Sequence, residues 1–280
     1  MLLDKLKTLP TQHLPTLLLF LLLVGTEKSF NQRRNKPMKL STEIKNLFDL
    51  MVDDLTLLVS LHDKELTEEM LTLLRDNNFP YTLGFALQNK EASEIFDLLK
   101  SGMDDLKADN MDELAADYAD IYLTNTLSAS PFESVWLDEE SLVMQAPMFE
   151  VRKCYEKFSL EIDNWQVRSD DHFIHQLQFA AHLLSMKDEE NLEYLSVFMD
   201  EHLFRWFDQF AAKVANRCAT KFYAGLVMLT SNYVNELRNI LAIITEQKRP
   251  SKDEIEAKFT GVIPLETMPL QYNPGSAESW

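Results

Sequence analysis

Apolar residues return every three or four positions through most of this chain, and only 6 glycines in 280 residues interrupt them. That pattern leaves few folds open, because a sandwich needs many turn clusters and a nucleotide fold needs glycine loops. Ile44, Leu47, Phe48, Met51, Leu55 and Leu58 share one face of a helix, as do Met111, Leu114, Tyr118, Ile121 and Tyr122. Val151, Cys154, Tyr155 and Phe158 form a third stripe, and Phe173, Leu177, Ala180, Ala181 and Leu184 a fourth. Two more follow at Leu192, Leu195, Phe198, Met199, His202, Trp206 and Phe210, and at Phe222, Tyr223, Leu226, Leu229 and Tyr233. With 46% hydrophobic residues the chain can bury a real core. The fold class predicted is all-α: a single helical bundle with extended N-terminal and C-terminal appendages.

Capping signals set the expected boundaries. Ser41 or Thr42 starts the first helix. Thr67 starts a second, with Glu68 and Glu69 against its positive end, which stops before Asn77-Asn78-Phe79-Pro80. A third runs from Glu91 to Lys100 and ends at Ser101-Gly102, and Asn110-Met111-Asp112-Glu113 resembles a capping box for the next. Pro147 suits a first helical turn, another helix begins near Asp170, Asp188-Glu189-Glu190 opens a further one, and the last long helix covers Arg217 to Thr245.

The organisation expected is an extension at 1–37, a helical domain at 38–246 with a hinge at 127–138, and an extended tail at 247–280 rich in proline. A hinge of that length permits a domain-swapped dimer as well as a monomer. The apolar run Leu17 to Val24 is too short for a spanning helix, which needs about 20 residues. Arg33-Arg34 follows that run, whereas a twin-arginine export signal places the pair before it. Met38 opens an ordinary start, so 1–37 reads as upstream translation, a flexible extension or a targeting segment.

A formal charge of −18 argues against nucleic acid, whose phosphates need clustered lysine and arginine. An acidic field suits a basic peptide or protein patch. The two cysteines, Cys154 and Cys218, form no Cys-x-x-Cys pair and read as reduced core thiols, so neither a disulfide framework nor a zinc site is expected. No cofactor is called for.

Two segments suggest a binding site. Ser130 to Asp138 is a Pro-broken loop carrying Phe132 and Trp136, and Asp170-Asp171-His172-Phe173 places acids and an imidazole where an apolar pattern begins. Together they suggest an apolar notch with a polar lip, suited to holding a peptide. Phe132 and Trp136 could equally pin the loop to the core, and Asp171 could cap a helix. His172, His175 and His182 on one helix invite a metal-binding enzyme as an alternative, but they lack the His-Glu-x-x-His spacing. A membrane-tethered adaptor using residues 14–24 is a second alternative. No nucleophile elbow or phosphate loop is present in the sequence.

From Leu40 to Thr245 the chain resembles the TorD/DmsD/NarJ family of redox-enzyme maturation chaperones, most closely its TorD/DmsD branch. The resemblance rests on Leu114-Ala115-Ala116-Asp117-Tyr118-Ala119-Asp120-Ile121-Tyr122, on Pro131 to Leu142, on Tyr155, on Asp171-His172, on Leu203 to Phe210 around Trp206, and on Phe222-Tyr223-Ala224. Asp170 stands where the family usually has proline, Ser159 where it often has glycine, and Gln176 where glutamate is common. The resemblance implies a cytoplasmic, non-enzymatic chaperone. It would bind the twin-arginine signal peptide and apo form of a molybdenum or tungsten bis-pterin oxidoreductase, of the DMSO/TMAO reductase or formate dehydrogenase type. Such a chaperone delays export and assists cofactor insertion. By the same resemblance Tyr122, Phe132, Trp136, Tyr155, Asp171 and His172 surround the client, and replacing both Asp171 and His172 by alanine weakens binding without unfolding the bundle.

Overall fold

A computed structural model of the chain describes residues 40–106, 111–124 and 126–260. The N-terminal extension, Asn110 of the expected capping box and the prolines from Pro264 onward lie outside the described residues. Helices account for the architecture: α1 (Thr42–Asp63), α2 (Glu68–Asp76), α3 (Lys90–Asp105), α4 (Met111–Tyr122), α5 (Glu133–Leu137), α6 (Ala146–Glu156), α7 (Phe173–Met186), α8 (Glu189–Phe198), α9 (Phe204–Ala215), α10 (Lys221–Thr245) and α11 (Lys252–Thr260). Among the described residues the sole β-type pairing is one isolated antiparallel bridge, Phe132 with His172.

The caps follow the sequence. Ser41, Thr67 and Asp188 accept hydrogen bonds from the first-turn amides of Ile44, Met70 and Asn191, and a proline stands in the first turn of α6. The long helix α10 lies along α3 and α9, and α1 packs on α7. Phe48, Met51, Leu55, Phe173, Leu177, Trp206, Phe207, Phe210, Phe222 and Tyr233 fill the core between them. The described residues through Arg249 form one compact unit that includes both sides of the expected hinge, and those from Pro250 to Thr260 belong to a second. Within the latter, α11 starts with a reciprocal capping box: Ser251 N–H donates to Glu254 Oε2 at 2.7 Å, and Glu254 N–H donates to Ser251 Oγ at 3.3 Å.

Three boundaries differ from the sequence reading. Helix α3 does not stop at Ser101-Gly102 but runs on to Asp105. Gly102 is there for proximity: a Cβ on it would lie 2.7 Å from the Phe222 backbone nitrogen. Helix α10 begins at Lys221 rather than Arg217, because Asp117 on α4 caps it from outside. The Asp117 carboxylate accepts from the amides of Ala219 (2.8 Å) and Thr220 (2.6 Å) and from the Thr220 hydroxyl (2.6 Å), while Thr220 makes no side-chain cap of its own. Helix α7 begins at Phe173 instead of near Asp170, with His172 as its N-cap.

Between α8 and α9, residues Met199–Leu203 form a π-helical turn. A π turn inserts one extra residue and rotates the side chains that follow. Here it directs Asp200 and His202 to different partners. Asp200 meets the fully buried Arg238 with bonds of 3.0 and 2.7 Å, and His202 faces Glu133.

Candidate functional site

The loop expected as a hinge is fastened to the start of α7. Glu133 N–H donates to the Asp171 carbonyl at 3.1 Å and Phe173 N–H to the Pro131 carbonyl at 3.0 Å, which makes the Phe132/His172 bridge. Asp171 is buried. Its carboxylate accepts the Ser134 amide at 2.8 Å and the Ser169 hydroxyl, so it caps α5 rather than its own helix. His172 is also buried; its Nδ1 accepts the Ile174 amide at 3.1 Å, and burial holds the imidazole well below its ordinary pKa and therefore neutral. The open polar lip expected from Asp171 and His172 is thus closed over by the protein's own side chains, because both groups are consumed in joining the loop to α7.

The other residues singled out in the sequence line the same junction. Phe132, half-buried, meets the His172 ring edge-on at 4.9 Å. Trp136, half-buried, donates its indole N–H to the Ser130 carbonyl at 2.8 Å and lies 6.3 Å from Trp206. Tyr155 is buried and donates its hydroxyl to the Asp170 carbonyl at 3.0 Å. Tyr122 is more distant: its hydroxyl meets His62 Nδ1 at 2.6 Å, and its ring reaches the junction through Phe173.

Asp170, the second acid of the expected lip, already has a cation. Arg152 donates to both of its oxygens, at 3.3 and 2.8 Å, and lies over the Trp165 ring at 4.6 Å and the Phe149 ring at 5.5 Å. The hydrogen bond to Asp170 raises the Arg152 pKa against a smaller effect of burial. Sequence reasoning missed Arg152, since an arginine on a helix face normally reads as solvated.

Two cavities open beside this ion pair. One, of about 450 Å³, is lined by Arg152, Glu156, Leu160, Glu161, Trp165 and Asp170 among others. The second, of about 210 Å³, is bounded by Tyr155, Ile162, His175, Gln178, Phe179 and His182 among others. Both are bordered by Leu160, Glu161 and Ile162, so they flank one short segment between α6 and α7. Glu156, Glu161 and Trp165 are exposed, as are the neighbouring Phe149 and Val167. The sequence signal for this place was faint: a Trp and a Val in a polar loop, Asn164-Trp165-Gln166-Val167.

The three histidines do not converge on a metal. His172 is committed to its cap, His175 Nδ1 pairs with Gln178 at 3.1 Å, and no group of three or more metal-binding side chains is found among the described residues. No helix among the described residues is long and apolar enough to cross a membrane.

A family model described as nitrate reductase delta subunit matches residues 87–212, a span that contains the fastened loop, both cavities and the π turn. Among similar curated proteins, Chaperone protein TorD of Vibrio parahaemolyticus is 25% identical over 181 residues, 61% of this chain and 84% of its own length. Chaperone protein TorD of Actinobacillus succinogenes is 31% identical over 108 residues, covering 38% of this chain and 53% of that protein. The Probable Tat proofreading chaperone DmsD of Haemophilus influenzae is 24% identical over 170 residues, covering 60% and 78%. The span that the delta-subunit model matches lies within the helical bundle. Over these spans the chain is similar to chaperones named TorD and DmsD.

Proposed function

We propose that this protein is a redox-enzyme maturation chaperone that holds the basic, leucine-rich leader of an apo-oxidoreductase in the two cavities beside Arg152, and that it works in the cytoplasm without catalysing a reaction. The observation that carries this reading is the adjacency of an acid-rimmed cavity, with Glu156 and Glu161 exposed, and an apolar one walled by Tyr155, Ile162 and Phe179. Such a pair matches a peptide with arginines next to leucines: carboxylates take guanidinium by charge-assisted bonds, and aromatic walls take aliphatic side chains. Names of the relatives support the chaperone role, one of them being a Tat proofreading chaperone.

In this reading Tyr155 touches the client. Asp171 and His172, with Phe132, Trp136 and Tyr122 around them, act one step back by fixing the start of α7, which carries His175 and Phe179 into the smaller cavity. Three or four leucine-like side chains yield roughly 5–10 kcal/mol of burial at about 1.5–3 each, and ordering a flexible leader removes about 2–5. The remainder suits a complex of about micromolar strength that can be released. Calorimetric titration with synthetic twin-arginine leaders tests this: a leader is expected to bind, and its variant with the leucines replaced by serine is expected to lose at least tenfold. Equal affinity for both peptides would sink the reading.

A further inference from the structure

The thiol of Cys154 stands at the end of a buried relay that the client reading does not use. Its Sγ lies 3.7 Å from His202 Nε2, and His202 Nδ1 lies 3.0 Å from Glu133 Oε1. Glu133 is fully buried and is in turn fixed by the Gln176 amide, whose carbonyl oxygen is buried without a partner. The order nucleophile, imidazole, carboxylate is the arrangement that activates a weak nucleophile, because the acid holds the Nδ1–H and leaves Nε2 to face the thiol. Four elements build it: α6 carries Cys154, the π turn carries His202, α5 carries Glu133 and α7 carries Gln176. Cys154 is a half-buried residue, while His202 and Glu133 are shielded from water.

We propose that Cys154 is a peroxide-sensitive modification site, activated by His202 and Glu133. The thiol proton passes to His202 Nε2, and the thiolate attacks one oxygen of hydrogen peroxide. An S–O bond forms as the O–O bond breaks; sulfur is oxidised to the sulfenic acid, and the departing hydroxide takes the proton from His202 and leaves as water. Burial works against charge on His202, but the Glu133 carboxylate and the Cys154 sulfur outweigh it and raise the imidazole to about 10, which fits a ring that keeps the proton taken from the thiol as imidazolium beside thiolate. Tyr155, Asp171, Tyr194, Glu201 and Arg205 are the other titratable groups near the relay. Cys218 lacks such a partner set: its sulfur faces the Thr220 carbonyl at 3.5 Å, and burial pushes its thiol up to about 12.

The full-length protein, exposed to dilute hydrogen peroxide with dimedone as the trap, separates activation from exposure by peptide mass spectrometry. Folded protein is expected to label at Cys154 about tenfold faster than the same cysteine in urea, and faster than Cys218 in the folded chain. His202→Gln, checked for retained helicity, is expected to remove the advantage. Faster labelling of Cys154 after unfolding overturns the proposal, because exposure alone then governs the rate. So does a folded His202→Gln protein that labels as fast as the parent.

Discussion

His62 lies fully buried between helices, with Nδ1 against the Tyr122 hydroxyl at 2.6 Å and Nε2 against the Thr230 hydroxyl at 2.8 Å. Burial lowers its pKa from 6.5 to about 3. The unfolded chain therefore takes up the proton first, so the stability this residue contributes is full above about pH 6.5 and drains away as pH falls toward 3. One such group gives a slope of up to about 1.4 kcal/mol per pH unit. His172 is lowered for the same reason and acts in the same direction. Asp54 opposes them: burial raises it to about 6, despite bonds from the Gly84 and Phe85 amides and the Tyr233 hydroxyl, so it favours folding as pH drops from about 6 to 3.8. Urea unfolding at stepped pH is expected to show stability falling between pH 6.5 and 4.5, with a shallower slope in His62→Gln.

The same scale revises the Asp171→Ala, His172→Ala variant. Because both side chains are buried and each holds a backbone amide, the double replacement is expected to lower unfolding free energy by about 2–4 kcal/mol in a urea titration. The sequence made these residues visible, yet it could not decide between a capping role and an open lip. That choice depends on the loop that arrives from 37 residues away, at Ser134, and periodicity carries no such information. His202 was legible as a core-facing residue of its helix stripe, whereas its link to Cys154 was not. Cys154 read as an inert core thiol because its helix stripe is apolar, and only the π turn of a distant helix brings the imidazole to it.

Helix stripes were the most legible feature because burial of one face imposes a period that survives any tertiary arrangement. Helix ends were less so. Ser101-Gly102 reads as a stop by composition, but the glycine serves the α3/α10 contact. Gly225 serves the same contact from the other side, since a Cβ there would lie 2.6 Å from Leu99 Cγ. Alanine at Gly225 normally helps a helix by up to about 1 kcal/mol. Here the added methyl must force apart two helices packed at van der Waals distance, and overpacking costs about 1–3 kcal/mol. Gly225→Ala is therefore expected to be destabilising in thermal melts, with Leu99→Ala in the same chain restoring part of the loss. The π turn escaped the sequence reading because its adjacent apolar residues, Phe198 with Met199 and Leu203 with Phe204, merely look like a broad helical stripe.

At the scale of the whole molecule the charge of −18 acts on how a basic client arrives, and the cavities act on whether it stays. The two contributions separate experimentally because screening weakens only one: charges more than about 8 Å apart are largely shielded at physiological salt. Glu156 and Glu161 are exposed at the rim, so charge reversal there leaves the core undisturbed. The Glu156→Lys, Glu161→Lys protein is expected to melt as the parent does, to bind a twin-arginine leader at least tenfold more weakly at low salt, and to show a flatter dependence of affinity on salt. Replacing Ile162 by Ser, in the wall shared by both cavities, is expected instead to weaken binding by roughly tenfold at every salt concentration, because it removes about 1–2 kcal/mol of apolar contact. Stopped-flow mixing assigns each change to a step: the charge reversal slows association, and the Ile162 variant speeds release. If neither variant alters leader binding while both remain folded, the grip lies on another face of the bundle.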